Sequence, residues 1–255
     1  MAKALPKTLK IKFKRPVINR MEDLISQTFG LYFKHFLIVL QYFAIFYIPA
    51  FLIKNYLLFL FPVESKLFKI FIAAAVLGVI GSVAIPALFY TIIQTMNKKK
   101  TPPFMESLQW SFHCWSQNFG NNLIVYFFIV IGLLLLVIPG IIFSIWYSLI
   151  TPIVTVEGRT QRDVLERSKS LVKGREWLIF GSSFVLGLAQ AVAALMIAIS
   201  LGFIGGLTGV ITKSTVLSDH WILITVTDFT THMLFSVVMI MSLVAYLSFS
   251  SKNKK

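Results

Sequence analysis

Charged side chains are scarce in this sequence. Only 13% of its 255 residues are Asp, Glu, Lys or Arg, whereas a soluble domain carries about 25%. Hydrophobic residues make up 57% of the chain, and 24 residues are phenylalanine. This balance excludes an ordinary soluble domain and predicts an integral membrane protein. Because the apolar runs are long and continuous, they exclude a barrel of short alternating strands and favour an all-α, polytopic fold.

Residues for catalysis and metal binding are also few. The single cysteine, Cys114, excludes an intrachain disulfide. The four histidines and ten acidic residues form no evident cluster of metal ligands. No glycine loop is followed by the Lys-Ser/Thr of a phosphate site, and no nucleophile stands beside a recognisable base. The sequence therefore predicts no enzyme activity, no cofactor and no metal site.

One polar pair lies inside the last apolar run. Asp228 and His232 are four residues apart, so they share one face of a helix. A carboxylate within a membrane by default suggests a proton or substrate pathway. Counting about 20 residues back from Phe249 reaches only Thr230, however, so the alternative is a polar cluster at the outer interface. Both interpretations stay open for this pair.

The central stretch from 123 to 156, which is 34 residues, contains no charged residue. One helix of that length would reach about 51 Å, against a hydrocarbon core of about 30 Å. Pro139 and Gly140 lie near its middle; proline breaks a helix, and glycine accepts the backbone angles of a reversal. We therefore predict a hairpin of two spans that turns at Pro139-Gly140.

Six spans and their connections account for most of the chain. One membrane domain, 19–250, is predicted with spans at 36–60, 70–96, 121–138, 141–156, 177–203 and 222–249. Basic tails at 1–18 and 251–255 flank it, and the first is expected to be flexible. The second and fifth spans carry stripes of small residues, Ala74-Gly78-Ser82 and Ser183-Gly187-Ala191. Since such stripes let helices approach closely, we expect these two spans at the centre.

Three segments outside the spans have apolar residues at helical spacing. The first follows Asn19, the second lies between Pro103 and Gly120, and the third follows Thr160. The third segment has two separate faces. One face is mainly apolar and consists of Val164, Leu165, Ser168, Leu171 and Val172; the other is charged and consists of Arg162, Glu166, Lys169 and Lys173. Gly174 is expected to end that helix in a left-handed conformation. All three are predicted to be amphipathic helices on the cytoplasmic membrane surface.

Basic residues divide unevenly between the two sides of this arrangement. Twenty Lys and Arg fall in the N-terminus, the connections 97–122 and 157–176 and the C-terminus, against four elsewhere. The positive-inside rule therefore places both termini in the cytoplasm. Two interpretations of these cations stay open. They only set the topology, or they also bind anionic lipid headgroups, with a gain in binding free energy of about 1 kcal/mol for each residue. The candidate headgroup contacts are Lys98, Lys99, Lys100, Arg162, Arg167, Lys169, Lys173 and Arg175.

The central stretch resembles a known pattern. The matching segments are Ile138-Pro139-Gly140-Ile141-Ile142, Thr151-Pro152-Ile153-Val154-Thr155-Val156-Glu157, and Arg167-Ser168 with Leu171-Val172-Lys173-Gly174 and Trp177. They are similar to a motif of the YciC-like uncharacterised family of bacterial inner-membrane proteins and of the membrane domain of some glycerophosphodiester phosphodiesterases. The resemblance implies a six-span helical protein of the bacterial inner membrane. It implies no activity, because the phosphodiesterase chemistry belongs to a barrel domain, and no metal-binding carboxylates within these 255 residues replace it.

Two functions of different classes fit these patterns. The first is a non-enzymatic membrane protein that contacts anionic lipid or a membrane partner in envelope maintenance. The second is a small transporter or permease, suggested by Pro49, Pro86 and Pro152 within spans and by Asp228. Nucleic acid is not an expected partner, because the basic residues cluster beside the spans.

Overall fold

The computed structural model describes residues 8–60, 66–98, 100–158, 161–212 and 221–252, and within these ranges the regular structure is helical. The helices are α1 (Met21–Lys34), α2 (Phe36–Leu60), α3 (Lys66–Lys98), α4 (Phe104–Leu135), α5 (Val137–Trp146), α6 (Ile150–Glu157), α7 (Gln161–Val172), α8 (Glu176–Thr212) and α9 (Trp221–Lys252).

Six stretches of the described chain are long and apolar enough to cross a membrane. They are Phe36–Leu58, Phe71–Lys98, Phe104–Leu135, Val137–Glu157, Glu176–Ile197 and Asp228–Ser251. The fourth joins α5 and α6 across a short turn. The predicted all-α class, with six stretches able to span a membrane, is therefore confirmed for the described residues.

The chain reverses between α4 and α5, but its corner is Leu136 rather than Pro139-Gly140. Leu136 has an extended backbone (φ −160°, ψ 135°), and its N–H donates to the carbonyl of Gly132 at 3.0 Å. Pro139 falls in the first turn of α5, where a backbone N–H has no helical partner to lose. Gly140 instead serves packing, since a β-carbon on Gly132 would lie 2.8 Å from the Gly140 nitrogen. Extended backbone is open to any residue, which is why the turn needed neither proline nor glycine.

The second predicted surface helix is not a separate element. Residues 104–120 continue into the third span as the single helix α4. Its buried face carries small polar residues, among them Ser107, Ser111 and Asn118, whereas Phe112 is 58% exposed. Small and polar residues typically line helix contacts inside a membrane. The face that packs on protein therefore mixes small polar residues with Trp110 and Cys114, and of the predicted apolar positions only Phe112 is exposed.

Two short helices, α1 and α7, occur where the other surface helices were predicted. Tyr32 near the end of α1 donates its hydroxyl to the Met233 carbonyl of α9 at 3.5 Å. Val164 and Leu171 of α7 are fully buried against neighbouring helices. Gly174 follows α7 with φ 78°, the left-handed conformation that was predicted. The apolar faces of both helices meet protein, so only their outward faces are open to a membrane.

Part of the predicted flexible tail is packed. Residues 8–20 form an extended segment in which Leu9 is buried and donates its N–H to the Val156 carbonyl at 2.8 Å. Asn97, at the end of α3, donates to the Lys10 carbonyl at 2.8 Å and accepts from the Lys12 N–H at 2.7 Å. This segment therefore links the ends of α3 and α6. Residues 1–7 and 253–255 of the predicted tails lie outside the described residues.

The last span, not the second and fifth, is the most buried. In the span of α9, 67% of the residues are buried, against 33% in that of α3 and 17% in that of α8. All residues from 240 to 250 are buried. A β-carbon at Gly78 or Gly187 would meet no atom within 4 Å. The glycines of the two stripes, Gly78 and Gly187, therefore face away from the bundle, whereas Ser82 is buried within it. The expectation that the second and fifth spans form the centre was wrong.

Candidate functional site

The end of the bundle that carries the basic segments is organised around Glu157, the last residue of α6. Its carboxylate accepts hydrogen bonds from the Arg167 Nε of α7 at 3.4 Å and from the Tyr246 hydroxyl of α9 at 3.0 Å. Gly158 follows with φ 58°, a left-handed conformation that ends α6 and redirects the chain. One acidic side chain thus ties three helices together beside a basic surface.

Two further arginines are held at the same end by contacts within the protein. The guanidinium of Arg15, in the extended segment, donates to the Ser250 hydroxyl at 3.0 Å. The guanidinium carbon of Arg175 lies 4.5 Å from the centroid of the Phe249 ring, and its Nη1 donates to the Leu171 carbonyl at 3.3 Å. These arginines therefore serve packing, although their charges remain at this end.

The predicted headgroup contacts divide into two groups. Arg167 and Arg175 are half-buried and engaged as described, whereas four lysines have exposed side chains: Lys98, Lys100, Lys169 and Lys173. Lys99 lies outside the described residues, and the Arg162 side chain is likewise outside the description. The structure thus separates arginines that hold helices together from lysines that point outward.

The exposed lysines of α7 lie on one face. Lys173 is four residues after Lys169, and its N–H donates to the Lys169 carbonyl at 3.0 Å, so helical geometry continues to this point. The Lys169 ammonium lies 4.1 Å from the centroid of the Trp146 ring. A lysine over an indole keeps its charge exposed while its stem covers apolar surface. The face therefore offers two neighbouring ammonium groups beside an aromatic ring.

Asp228 and His232 come together with a third residue that sequence reasoning did not consider. The Asp228 carboxylate contacts the ammonium of Lys54 on α2. The His232 Nδ1 lies 3.0 Å from the Asp228 carbonyl, and the ring packs against Phe51 at 5.0 Å between centroids. Lys54 interrupts an otherwise uncharged run from 36 to 60. Because a charged residue within a membrane span usually pairs with an opposite charge, Lys54 could have predicted an acidic partner on another span.

A polar seam between α2, α3 and α4 was also missed. The Thr91 hydroxyl lies 2.6 Å from the Tyr42 hydroxyl and 2.7 Å from the Ser107 hydroxyl. Further along, the Trp115 indole donates to the Ser82 hydroxyl at 2.7 Å. Because these groups bond to one another, the seam fixes the register of the helices.

The accessible chemistry at the basic end is that of ammonium groups beside apolar surface. Within the described part of the chain, no group of three His, Cys, Asp or Glu side chains is placed to hold a metal ion. No protein-family model, no curated protein and no solved structure matches this chain.

Proposed function

We propose that the protein is a non-enzymatic, multi-pass protein of the bacterial inner membrane that contacts anionic phospholipid at its cytoplasmic side. The observation that carries the proposal is the outward direction of Lys98, Lys100, Lys169 and Lys173, next to arginines that are engaged within the protein. Exposed cations beside a bilayer gain about 1 kcal/mol each from anionic headgroups. Four such cations at one end give a preference for anionic lipid without requiring a deep pocket.

The proposed orientation has both termini in the cytoplasm. Twenty of the 24 Lys and Arg fall on that side of a six-span arrangement. The contacts of Leu9 with Val156 and of Arg15 with Ser250 support a shared side for the two termini, because they bring the N-terminal segment, the end of α6 and the end of α9 to the same end of the bundle.

Cysteine labelling tests this orientation. Lys100→Cys, Lys169→Cys and Tyr56→Cys are introduced separately into a Cys114→Ser background and treated in intact spheroplasts with a maleimide that does not cross membranes. We expect reaction at position 56, whose tyrosine is exposed, and at positions 100 and 169 only after permeabilisation. Reaction at 56 and 169 from the same side would contradict the orientation.

Lipid analysis tests the contact itself. The protein is reconstituted in nanodiscs of phosphatidylglycerol and phosphatidylcholine, and the lipids that stay bound after dilution into detergent are quantified. Replacing the four exposed lysines with glutamine is expected to lower the enrichment of phosphatidylglycerol by roughly tenfold or more. Lys69→Gln, which removes an exposed lysine near the other end of α3, is the matched control. Unchanged enrichment in the fourfold variant would refute the proposal.

A role in envelope maintenance stays a prediction from the charge distribution and the amphipathic segments, and the relation to the YciC-like family stays a prediction from the central motif. For a transporter, Asp228 was the principal candidate residue. Its pairing with Lys54 favours a structural ion pair over a proton pathway, so lipid contact is the better supported function.

A further inference from the structure

A groove lies between α5 and α8, within two of the segments apolar enough to span a membrane. Its volume is about 270 Å³, and its apolar lining includes Ile141 and Ile145 of α5 and Ile179, Phe180 and Phe184 of α8. The groove opens toward the outside of the bundle, since Phe184 is exposed. In a bilayer this opening faces the acyl chains.

Hydroxyl groups in the groove add little polarity. Ser144 donates to the Ile141 carbonyl at 2.7 Å, and Ser148 donates to the Ile145 carbonyl at 2.8 Å. Both hydroxyls therefore donate to carbonyls three residues earlier in the chain, Ser144 within α5 and Ser148 in the turn that follows it. The third lining hydroxyl, that of Ser183, lies on α8. Ligand pockets for drug-sized molecules typically measure about 300–1,000 Å³, so this volume suits a single apolar chain better than a larger polar ligand.

Positive charge lies at the end of the groove where α7 meets α5. The carbonyl of Trp146, next to the lining residue Ile145, accepts a hydrogen bond from the Ser168 hydroxyl at 2.7 Å. The same tryptophan carries the Lys169 ammonium over its ring. Lys173 follows on the same helical face. The docking of α7 thus places Lys169 over Trp146, the residue next to the groove-lining Ile145, and Lys173 follows one helical turn later.

We propose that this groove holds one acyl chain of an anionic phospholipid whose phosphate is bound by Lys169 and Lys173. The ammonium groups of the two lysines complement the lipid phosphate, and the apolar lining of the groove complements the acyl chain. Two acidic residues lie nearby. Glu166, on the same face of α7 as the two lysines, has an interaction within the protein, and Glu176 lies in the first turn of α8, where the helix dipole offsets its charge. The inference rests on the proposed lipid contact and assigns it one site.

Photo-crosslinking locates the chain. Full-length protein in phosphatidylcholine nanodiscs receives a trace of phosphatidylglycerol that carries a diazirine on one acyl chain, and crosslinked peptides are identified by mass spectrometry. We expect crosslinks to concentrate at 141–148 and 179–184. Ser183→Phe, which fills the groove, is expected to lower them to the level of the other exposed helix faces. Ser200→Phe, at an exposed position of the same helix outside the groove, is the matched control and is expected to leave them unchanged.

The lysine variants separate this site from general lipid contact. Lys169→Gln combined with Lys173→Gln is expected to abolish the preference of groove crosslinking for phosphatidylglycerol over a diazirine-labelled phosphatidylcholine. Lys98→Gln with Lys100→Gln lowers total enrichment while leaving that preference. If all four lysines matter for enrichment but crosslinks spread evenly over the exposed faces, the groove assignment is wrong and the proposed function stands. If neither enrichment nor crosslinking changes, both are wrong.

A second copy of the chain is the competing occupant. Ser183→Cys in the Cys114→Ser background would then form a disulfide-linked dimer on mild oxidation in nanodiscs. A dimer at high yield overturns the lipid site, whereas a monomer with groove crosslinks supports it.

Discussion

The ammonium group of Lys54 on α2 contacts the carboxylate of Asp228 on α9, across 174 residues of sequence. Asp228 lies 21 residues before Phe249, which is about 32 Å along the helix axis. The pair is thus far from the basic end. It lies close to the opposite boundary of the hydrocarbon core, which is about 30 Å thick. Its effect is to join the first span to the last.

Breaking this ion pair should destabilise the protein. Asp228→Asn leaves Lys54, whose side chain is 12% exposed, without its counter-charge. Breaking a fully buried pair lowers the free energy of unfolding by about 3–5 kcal/mol. Because Asp228 is partly exposed, we expect a loss of about 1–3 kcal/mol. Thermal unfolding in detergent measures the change. Lys54→Met and Asp228→Leu are also made separately and together, and the double variant is expected to cost less than the sum of these two single variants. A cost equal to that sum would show that the charges are not coupled.

The hairpin depends on close approach of two glycines. Gly132→Ala would place a methyl group 2.8 Å from the Gly140 nitrogen and 2.9 Å from its α-carbon, so α4 and α5 must separate. We expect a loss of about 1–3 kcal/mol, measured as a lower midpoint of thermal unfolding. Gly187→Ala meets open space and is expected to be neutral or slightly stabilising. Equal effects of the two substitutions would argue against the packed hairpin.

The extended N-terminal segment should be released by a change in α3. Asn97→Ala removes two hydrogen bonds, to Lys10 and Lys12, each worth about 1 kcal/mol. Limited trypsin digestion is expected to cleave after Lys10, Lys12, Lys14 or Arg15 roughly tenfold faster, since cleavage follows the population of the open segment. Thr95→Ala is the control, because that hydroxyl donates to the Thr91 carbonyl of its own helix. Identical digestion rates would show that these bonds do not hold the segment.

The corner between α1 and α2 predicts a pH dependence of stability. Burial lowers the pKa of His35 below its ordinary value, while the Leu31 carbonyl, 3.1 Å from Nδ1, raises it by less and Lys34 lowers it further. As the pH falls through about 6.5, His35 takes up a proton in the unfolded chain before it does so in the folded protein. The free energy of unfolding therefore decreases below that pH. We expect the temperature of the unfolding midpoint in detergent to decrease as the pH is lowered from about 7.5 to about 5.5. His35→Gln should flatten the curve, and an unchanged curve would contradict this account.

The fold class and the location of the hairpin followed from local properties of the chain, but the details of the turn did not. Pro139 and Gly140 suggested the corner because their backbone preferences are known. The corner lies at Leu136, since extended backbone suits any residue and the glycines are needed where the helices touch. The candidate site shows the same division: the basic segments were predicted, whereas the sorting of arginines from exposed lysines was not.

The sequence by itself determined that this is a helical membrane protein with six apolar stretches of spanning length and basic segments between them. It did so because the hydrocarbon thickness and the cost of unpaired backbone groups act on each stretch separately. Only the tertiary structure decided that Ser107 faces inward, that Leu9 and Arg15 lie against other segments, and that Lys54 meets Asp228. An amphipathic pattern is the same whether water or protein covers its polar face, and a partner far away in sequence leaves no periodic signal. Those contacts depend on how the helices pack.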